Sequence, residues 1–103
     1  MVLLSVLYPN QPGTRFDEHY YVERHIPLVR QRWEGMGLTD LRLLRGTGTP
    51  DGGAAPYRLI ALLSFTSAEA LQRCVAAHGA ELFGDIPNFT DVQPLVQLNE
   101  PLG

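Results

Sequence analysis

The chain has 103 residues, 45% of them apolar, which is enough for a single domain over residues 1–103 with one modest core and too little for two. Its 11 acids and 8 bases give a formal charge of −3 with no basic run, so nucleic acid is not an expected partner. The single cysteine, Cys74, cannot form an internal disulfide, and in the apolar rhythm of a helix it reads as a small hydrophobe.

In chain order, Val2 to Tyr8 is aliphatic and β-branched, stops at Pro9 and predicts strand one; it alternates and lacks a basic leader, so it reads as structure rather than a targeting segment. No apolar run approaches the ~20 residues of a membrane span, so a cytoplasmic protein without a membrane partner is expected. Phe16 to about Trp33 then reads as a helix ended by Gly35 and Gly37. Asp17, Tyr21 and His25 fall at i, i+4 and i+8 and put a carboxylate, a phenol and an imidazole along one side. That is proton-transfer chemistry if it faces a pocket. Val22, Ile26, Val29 and Trp33 form the neighbouring apolar row, as a core-facing stripe should. Pro27 removes a backbone bond to Glu23 and predicts a kink or restart near His25. His25 therefore has two roles open to it: acid/base group in a pocket, or cap on the carbonyls the proline frees.

Leu38 to Arg45 and Tyr57 to Phe65 predict strands two and three, a hairpin joined by GTGTPDGGAAP. That loop has no lysine and opens no helix, which argues against a phosphate cradle. Thr66 and Glu69 match a capping box and start a second helix with Leu71, Cys74, Val75 and His78 on its inner face and an interruption at Gly79. AELFGDIPNF continues as a turn or short helix, and Val92 to Leu98 predicts strand four.

The order βαββαβ predicts an α+β, ferredoxin-like fold: a four-stranded antiparallel sheet with both helices on one face. Strand one puts Val2, Leu4, Val6 and Tyr8 on one side and Leu3 and Leu7 on the other; strand three opposes Leu59, Ala61, Leu63 and Phe65 to Ile60 and Leu62. Two helices cover one face only, so a second copy of the chain is expected on the other, in a homodimer whose facing sheets enclose a mostly apolar cavity. Tyr8 and His78 are each placed to line it, with a satisfied core histidine the alternative for His78. His19, His25 and His78 lack compact ligand spacing, so no metal site is expected. No Gly-x-Gly-x-x-Gly follows a strand, so neither a nicotinamide nor a flavin site is expected.

FDEHYYVERHIPLV, with its phenols ahead of H-x-P-L, and DIPNFTDVQPLVQLNEP near the C-terminus resemble the EthD-like family over nearly the whole chain. The resemblance implies a dimeric α/β barrel in which two ferredoxin-like sheets pair. It puts the characteristic histidine at His25, followed by Pro27 and Leu28, and the aromatic positions at Phe16, Tyr20 and Tyr21. The later motif falls on Asp85, Pro87, Phe89, Asp91 and Pro94. Tyr20 and Phe89 become candidate substrate-binding residues on this basis, beside Tyr8 and His78, with His25, Tyr21 and Asp17 as the candidate catalytic group. EthD-like proteins are named for oxidative degradation of an ethyl tert-butyl ether, and related barrels include polyketide cyclases, cofactor-free monooxygenases, muconolactone isomerases and haem-degrading enzymes. Two function classes follow. One is a cofactor-free oxidoreductase, cyclase or isomerase acting on a small, hydrophobic, oxygenated cyclic or aromatic metabolite by proton transfer at His25. The other is a noncatalytic accessory or carrier protein for an oxidative degradation or polyketide pathway. Haem, through one axial histidine, is the only cofactor the related barrels suggest.

Overall fold

In the computed structural model, which describes all 103 residues, β1 (Val2–Pro9) occupies the centre of a four-stranded antiparallel sheet with β3 (Tyr57–Phe65). β2 (Leu38–Arg45) lies outside β3 and β4 (Leu95–Asn99) outside β1, giving the order β2-β3-β1-β4 of the ferredoxin-like fold. The register decides which residues meet the helices. Leu4 is opposite Leu63, Val6 opposite Ala61 and Tyr8 opposite Leu59, and these six are all buried on the helix side. Leu41 extends that surface across Leu63. A bulge at Thr39 between Leu38 and Asp40 keeps Leu38 and Leu41 on the same buried face although three positions separate them.

The opposite face carries a second apolar row. Leu44 faces Ile60, Ile60 faces Leu7, and Leu7 faces Leu95, so one line of aliphatic side chains crosses all four strands. No helix covers it, and Leu44 and Leu95 are 48% and 54% exposed. The next levels along the strands turn polar, through Arg42, Leu62, Ser5 and Gln97 to Asp40, Ser64, Leu3 and Asn99.

The helical segment after β1 is one run of three geometries: α1 (Glu18–Tyr20), a π-helical turn (Tyr21–His25) and α2 (Ile26–Trp33). The Ile26 amide bonds the Tyr21 carbonyl five residues back, immediately before Pro27, whose missing N–H leaves the regular ladder open. The extra residue in that turn changes the face presented upstream of it. Counting back four from Ile26 reaches Val22, which is 50% exposed; counting back five reaches Tyr21, which is buried. The expected apolar row of Val22, Ile26, Val29 and Trp33 is thus corrected at its first member, and the proline produces a π turn in a continuous helix.

α3 (Ala68–Gly84) is also unbroken: Gly79 is buried inside it and does not interrupt it. Its cap is Ser67, which accepts the Ala70 amide, rather than Thr66. Ala70, Leu71, Cys74 and Leu82 form its inner stripe, whereas Val75, expected there, is 41% exposed. Trp33 ties the two helices together by donating to the Cys74 carbonyl at 3.0 Å. Burial pushes the Cys74 thiol up, in keeping with a packing role. The fourth strand begins at Leu95 rather than Val92, because Pro94 has no N–H to give the ladder. No helix is long and apolar enough to cross a membrane.

Candidate active site

The segment between α3 and β4 is stitched to the start of the first helix. The Asp17 amide donates to the Phe89 carbonyl at 2.7 Å, the Arg15 amide to Asp91 Oδ1 at 2.9 Å, and the Thr90 hydroxyl to the Arg15 carbonyl at 2.6 Å. The Arg15 guanidinium adds a bond to the Pro87 carbonyl at 2.9 Å. These bonds, with a short 3₁₀ turn at Ile86–Asn88, bring Asp85 against His25, 60 residues away in sequence.

His25 is 6% exposed, and its Nδ1 lies 2.9 Å from Asp85 Oδ2. The other carboxylate oxygen, Oδ1, accepts the Tyr20 hydroxyl at 2.7 Å and the Asn88 amide at 2.9 Å. Partial burial pulls the Asp85 carboxyl upward, but the hydrogen bonds from Asn88, His25 and Tyr20 outweigh it and hold the group below its usual range. Burial lowers the affinity of His25 for a second proton more than its bond to Asp85 raises it, so the imidazole is held below its ordinary value and is neutral at pH 7. An ionised carboxylate only accepts, so the single ring proton sits on Nδ1 and the Nε2 lone pair is free. Nε2 has no protein partner, and since no fully sealed polar side-chain atom lacks one, it keeps some accessible surface.

The imidazole stacks on Tyr21, with ring centroids 5.5 Å apart and planes 20° apart, and meets Phe89 at 4.7 Å. Beyond these two rings the aromatic cluster continues to Tyr8 and Phe16, with Tyr21 and Phe89 edge-on at 5.0 Å and Tyr8 and Tyr21 edge-on at 5.9 Å. His25, Tyr21 and Tyr8 all line one cavity of about 40 Å³ between the sheet and the helices, otherwise walled by aliphatic and aromatic side chains. Of its lining residues only Phe83 and Ile86 are not buried, so its mouth lies there. The cavity has room for roughly three water-sized groups.

The sequence-derived residues separate into three groups. His25, Tyr21 and Tyr8 converge on the cavity. Tyr20 and Phe89 stand behind it, Tyr20 bonded to Asp85 and Phe89 packed against the imidazole. Asp17 and His78 are elsewhere: Asp17 is the exposed cap of α1, accepting the Tyr20 amide at 3.0 Å, and His78 is partly exposed, 3.8 Å from Glu81. Asp17 is the N-cap, with an extended backbone and its carboxylate turned back onto the Tyr20 amide, so helical spacing does not carry its side chain onto the Tyr21 face. The cavity itself lies on the helix side of the sheet, where the sequence had suggested the space between two sheets. Neither does His25 cap the kink: its side chain bonds Asp85 and no backbone carbonyl. Sequence reasoning did not assign Asp85 or Asn88 a role. Their spacing in DIPN, an acid and an amide three apart around a proline, was the available signal of a structured turn.

No three or more His, Cys, Asp or Glu side chains cluster as metal ligands would. A porphyrin does not fit a cavity of about 40 Å³.

Neither protein-family models nor curated proteins give a match. Solved structures do. An EthD-like protein from Ralstonia eutropha is 32% identical, with a TM-score of 0.90 over 99% of this chain and 92% of that one. The chain belongs to the EthD-like family. An ethyl tert-butyl ether (EthD) family protein from Bacillus halodurans shares this EthD-like chain's fold at 22% identity and TM-score 0.70, covering 99% of each. SnoaB, a cofactor-independent oxygenase from Streptomyces nogalater, shares it at 12% identity and TM-score 0.70, over 99% of this chain and 93% of that one.

Proposed function

We propose that this EthD-like protein binds the oxygenated head of a small hydrophobic, cyclic or aromatic metabolite in the cavity under the sheet and transfers a proton at His25 Nε2 without a cofactor. The observation that carries this reading is the convergence of His25 and Tyr21 on one apolar cavity, with Asp85 fixing the imidazole from behind. A dry, low-dielectric site strengthens the effect of a neutral base on a weak acid. Asp85 holds the ring in the tautomer that leaves Nε2 unprotonated, and it stabilises the imidazolium that forms. A carrier without chemistry needs no such arrangement, so the convergence favours an enzyme over the accessory reading.

The chain acts as a homodimer in this proposal, because the aliphatic row Leu44, Ile60, Leu7 and Leu95 needs cover that no helix supplies. The cavities then lie outside the paired sheets, one per chain, so the dimer stabilises the sheet floor of each site.

The test is to purify the protein under native conditions, identify any co-purified metabolite by untargeted mass spectrometry, and incubate it with the protein in deuterium oxide. Incorporation of deuterium next to the ligand's oxygen function by the wild type, absent with His25→Gln, is the expected result. Equal incorporation by both proteins would sink the proposal.

A further inference from the structure

Tyr8 and Tyr21 are 2% and 1% exposed, yet neither hydroxyl bonds to a protein group. No fully sealed polar side-chain atom lacks a partner, so both hydroxyls keep some accessible surface, and both residues line the cavity. Buried phenols normally find acceptors, and leaving one without costs free energy. These two leave their donors free for whatever enters.

Three properties define what they receive. Burial pushes both phenols up, and Tyr8 pushes Tyr21 further, so both keep their protons and act as donors. Their rings are held by edge-on contacts, Tyr8 with Phe16 at 5.3 Å and Tyr21 with Phe89 at 5.0 Å, and by a tilted contact of Tyr21 with Phe16 at 5.4 Å, so the donors need little reorganisation. No arginine lines the cavity, so nothing there neutralises a ligand that arrives as a carboxylate or phosphate. The ligand must enter neutral and gain charge only as His25 takes a proton, which keeps the cavity's net charge constant. Donors and base are different atoms on neighbouring rings, which suits a substrate whose acidic proton and charge-bearing oxygen are also different atoms.

We propose that Tyr8 and Tyr21 form a donor pair for the oxygen of an enolisable carbonyl compound and hold its enolate. This rests on His25 acting as the base. The C–H bond beside the carbonyl breaks and its proton passes to His25 Nε2. The bonding pair becomes a carbon–carbon π bond, and the former carbonyl π pair moves onto the oxygen, where the two O–H groups bind it. Return of the proton to carbon or to oxygen completes an isomerisation or prepares a ring closure, and no oxidant is required.

Acetylacetone, a small 1,3-dicarbonyl whose enolate has its own ultraviolet band, is the probe. The wild type should bind it saturably as the enolate at a pH where the free compound is neutral, and speed exchange of its central protons for deuterium. Tyr8→Phe and Tyr21→Phe should each weaken enolate binding roughly tenfold to a hundredfold, the range for one hydrogen bond to a charged group. In wild-type protein labelled at the tyrosine Cζ carbons, the signals of Tyr8 and Tyr21 should both shift on binding, which tests the pair even if a variant folds poorly. No binding by the wild type, binding of the neutral form, or unchanged affinity in both phenylalanine variants would overturn the donor pair. Unchanged exchange in His25→Ala, with the tyrosine effects intact, would instead remove His25 as base and leave the donor pair standing.

Discussion

Replacing Asp85 with asparagine removes one charge while conserving shape, and it acts on the chemistry through the tautomer of His25. The carboxylate accepts three hydrogen bonds, from His25 at 2.9 Å, Tyr20 at 2.7 Å and Asn88 at 2.9 Å. An asparagine keeps its oxygen for Tyr20 and Asn88 and turns its amide N–H toward Nδ1, which must then accept. The ring proton moves to Nε2 and blocks the base. Loss of charge assistance from three bonds, offset by easier burial of a neutral amide, should cost about 1–2 kcal/mol. For a domain near this size that is a drop in melting temperature on the order of 5–15 °C. Nitrogen-15 NMR of the labelled imidazole reads the tautomer without a ligand: Nδ1–H in the wild type, Nε2–H in Asp85→Asn, with proton transfer reduced by ~10³-fold or more, as a wrong tautomer does elsewhere. An Asp85→Asn protein that keeps Nδ1–H, or wild-type turnover by a variant with Nε2–H, would refute the assignment.

Ile60→Asp or Leu62→Asp, on the helix-free face, should convert the protein to monomer or aggregate, and sedimentation of the wild type as a monomer at micromolar concentration would contradict the expected dimer. Acid should destabilise the fold in two windows. His25 is held below its ordinary 6.5, so as pH falls through 6.5 the unfolded chain takes up a proton that the folded chain refuses, and stability declines until the folded value is reached. Asp85, held below 3.8, adds a second decline of the same sign below that pH. Denaturant titrations of wild type and His25→Phe should differ in slope in the upper window and agree above it; identical slopes would be inconsistent with a buried neutral imidazole. Gly37→Ala should cost about 2–3 kcal/mol for a strained backbone and a clash. Gly37 has φ of +116°, and an added Cβ would lie 2.7 Å from the Ala70 Cβ. A melting curve within a degree or two of wild type would contradict this.

The parts of the fold that rest on short-range pattern were legible in the sequence. β1 and β3 alternate apolar residues on two faces, and that pattern pointed to a sheet with one apolar face that the helices leave uncovered. Errors arose where a backbone detail changes the count. A proline announces a broken ladder, but whether the chain kinks or absorbs one extra residue depends on tertiary packing, so the pattern named Val22 where the π turn buries Tyr21. Thr66 and Ser67 are adjacent hydroxyl residues, and only the observed geometry, with Ser67 accepting the Ala70 amide, separates them. In the site, His25 and Tyr21 could be named from local chemistry. Their carboxylate partner could not, because Asp85 reaches His25 only through the bonds that fasten residues 85–91 to residues 15–17. A periodicity has no access to such contacts.

The central claim is that His25 serves a bound molecule rather than the fold, and thermal stability and affinity measured together on His25→Ala test it most directly. With the metabolite identified from native preparations, the account predicts loss of turnover or a large loss of affinity, over and above the fall in ligand-free melting temperature that truncating a buried, hydrogen-bonded imidazole brings. A large loss of ligand-free stability with unchanged affinity would contradict it.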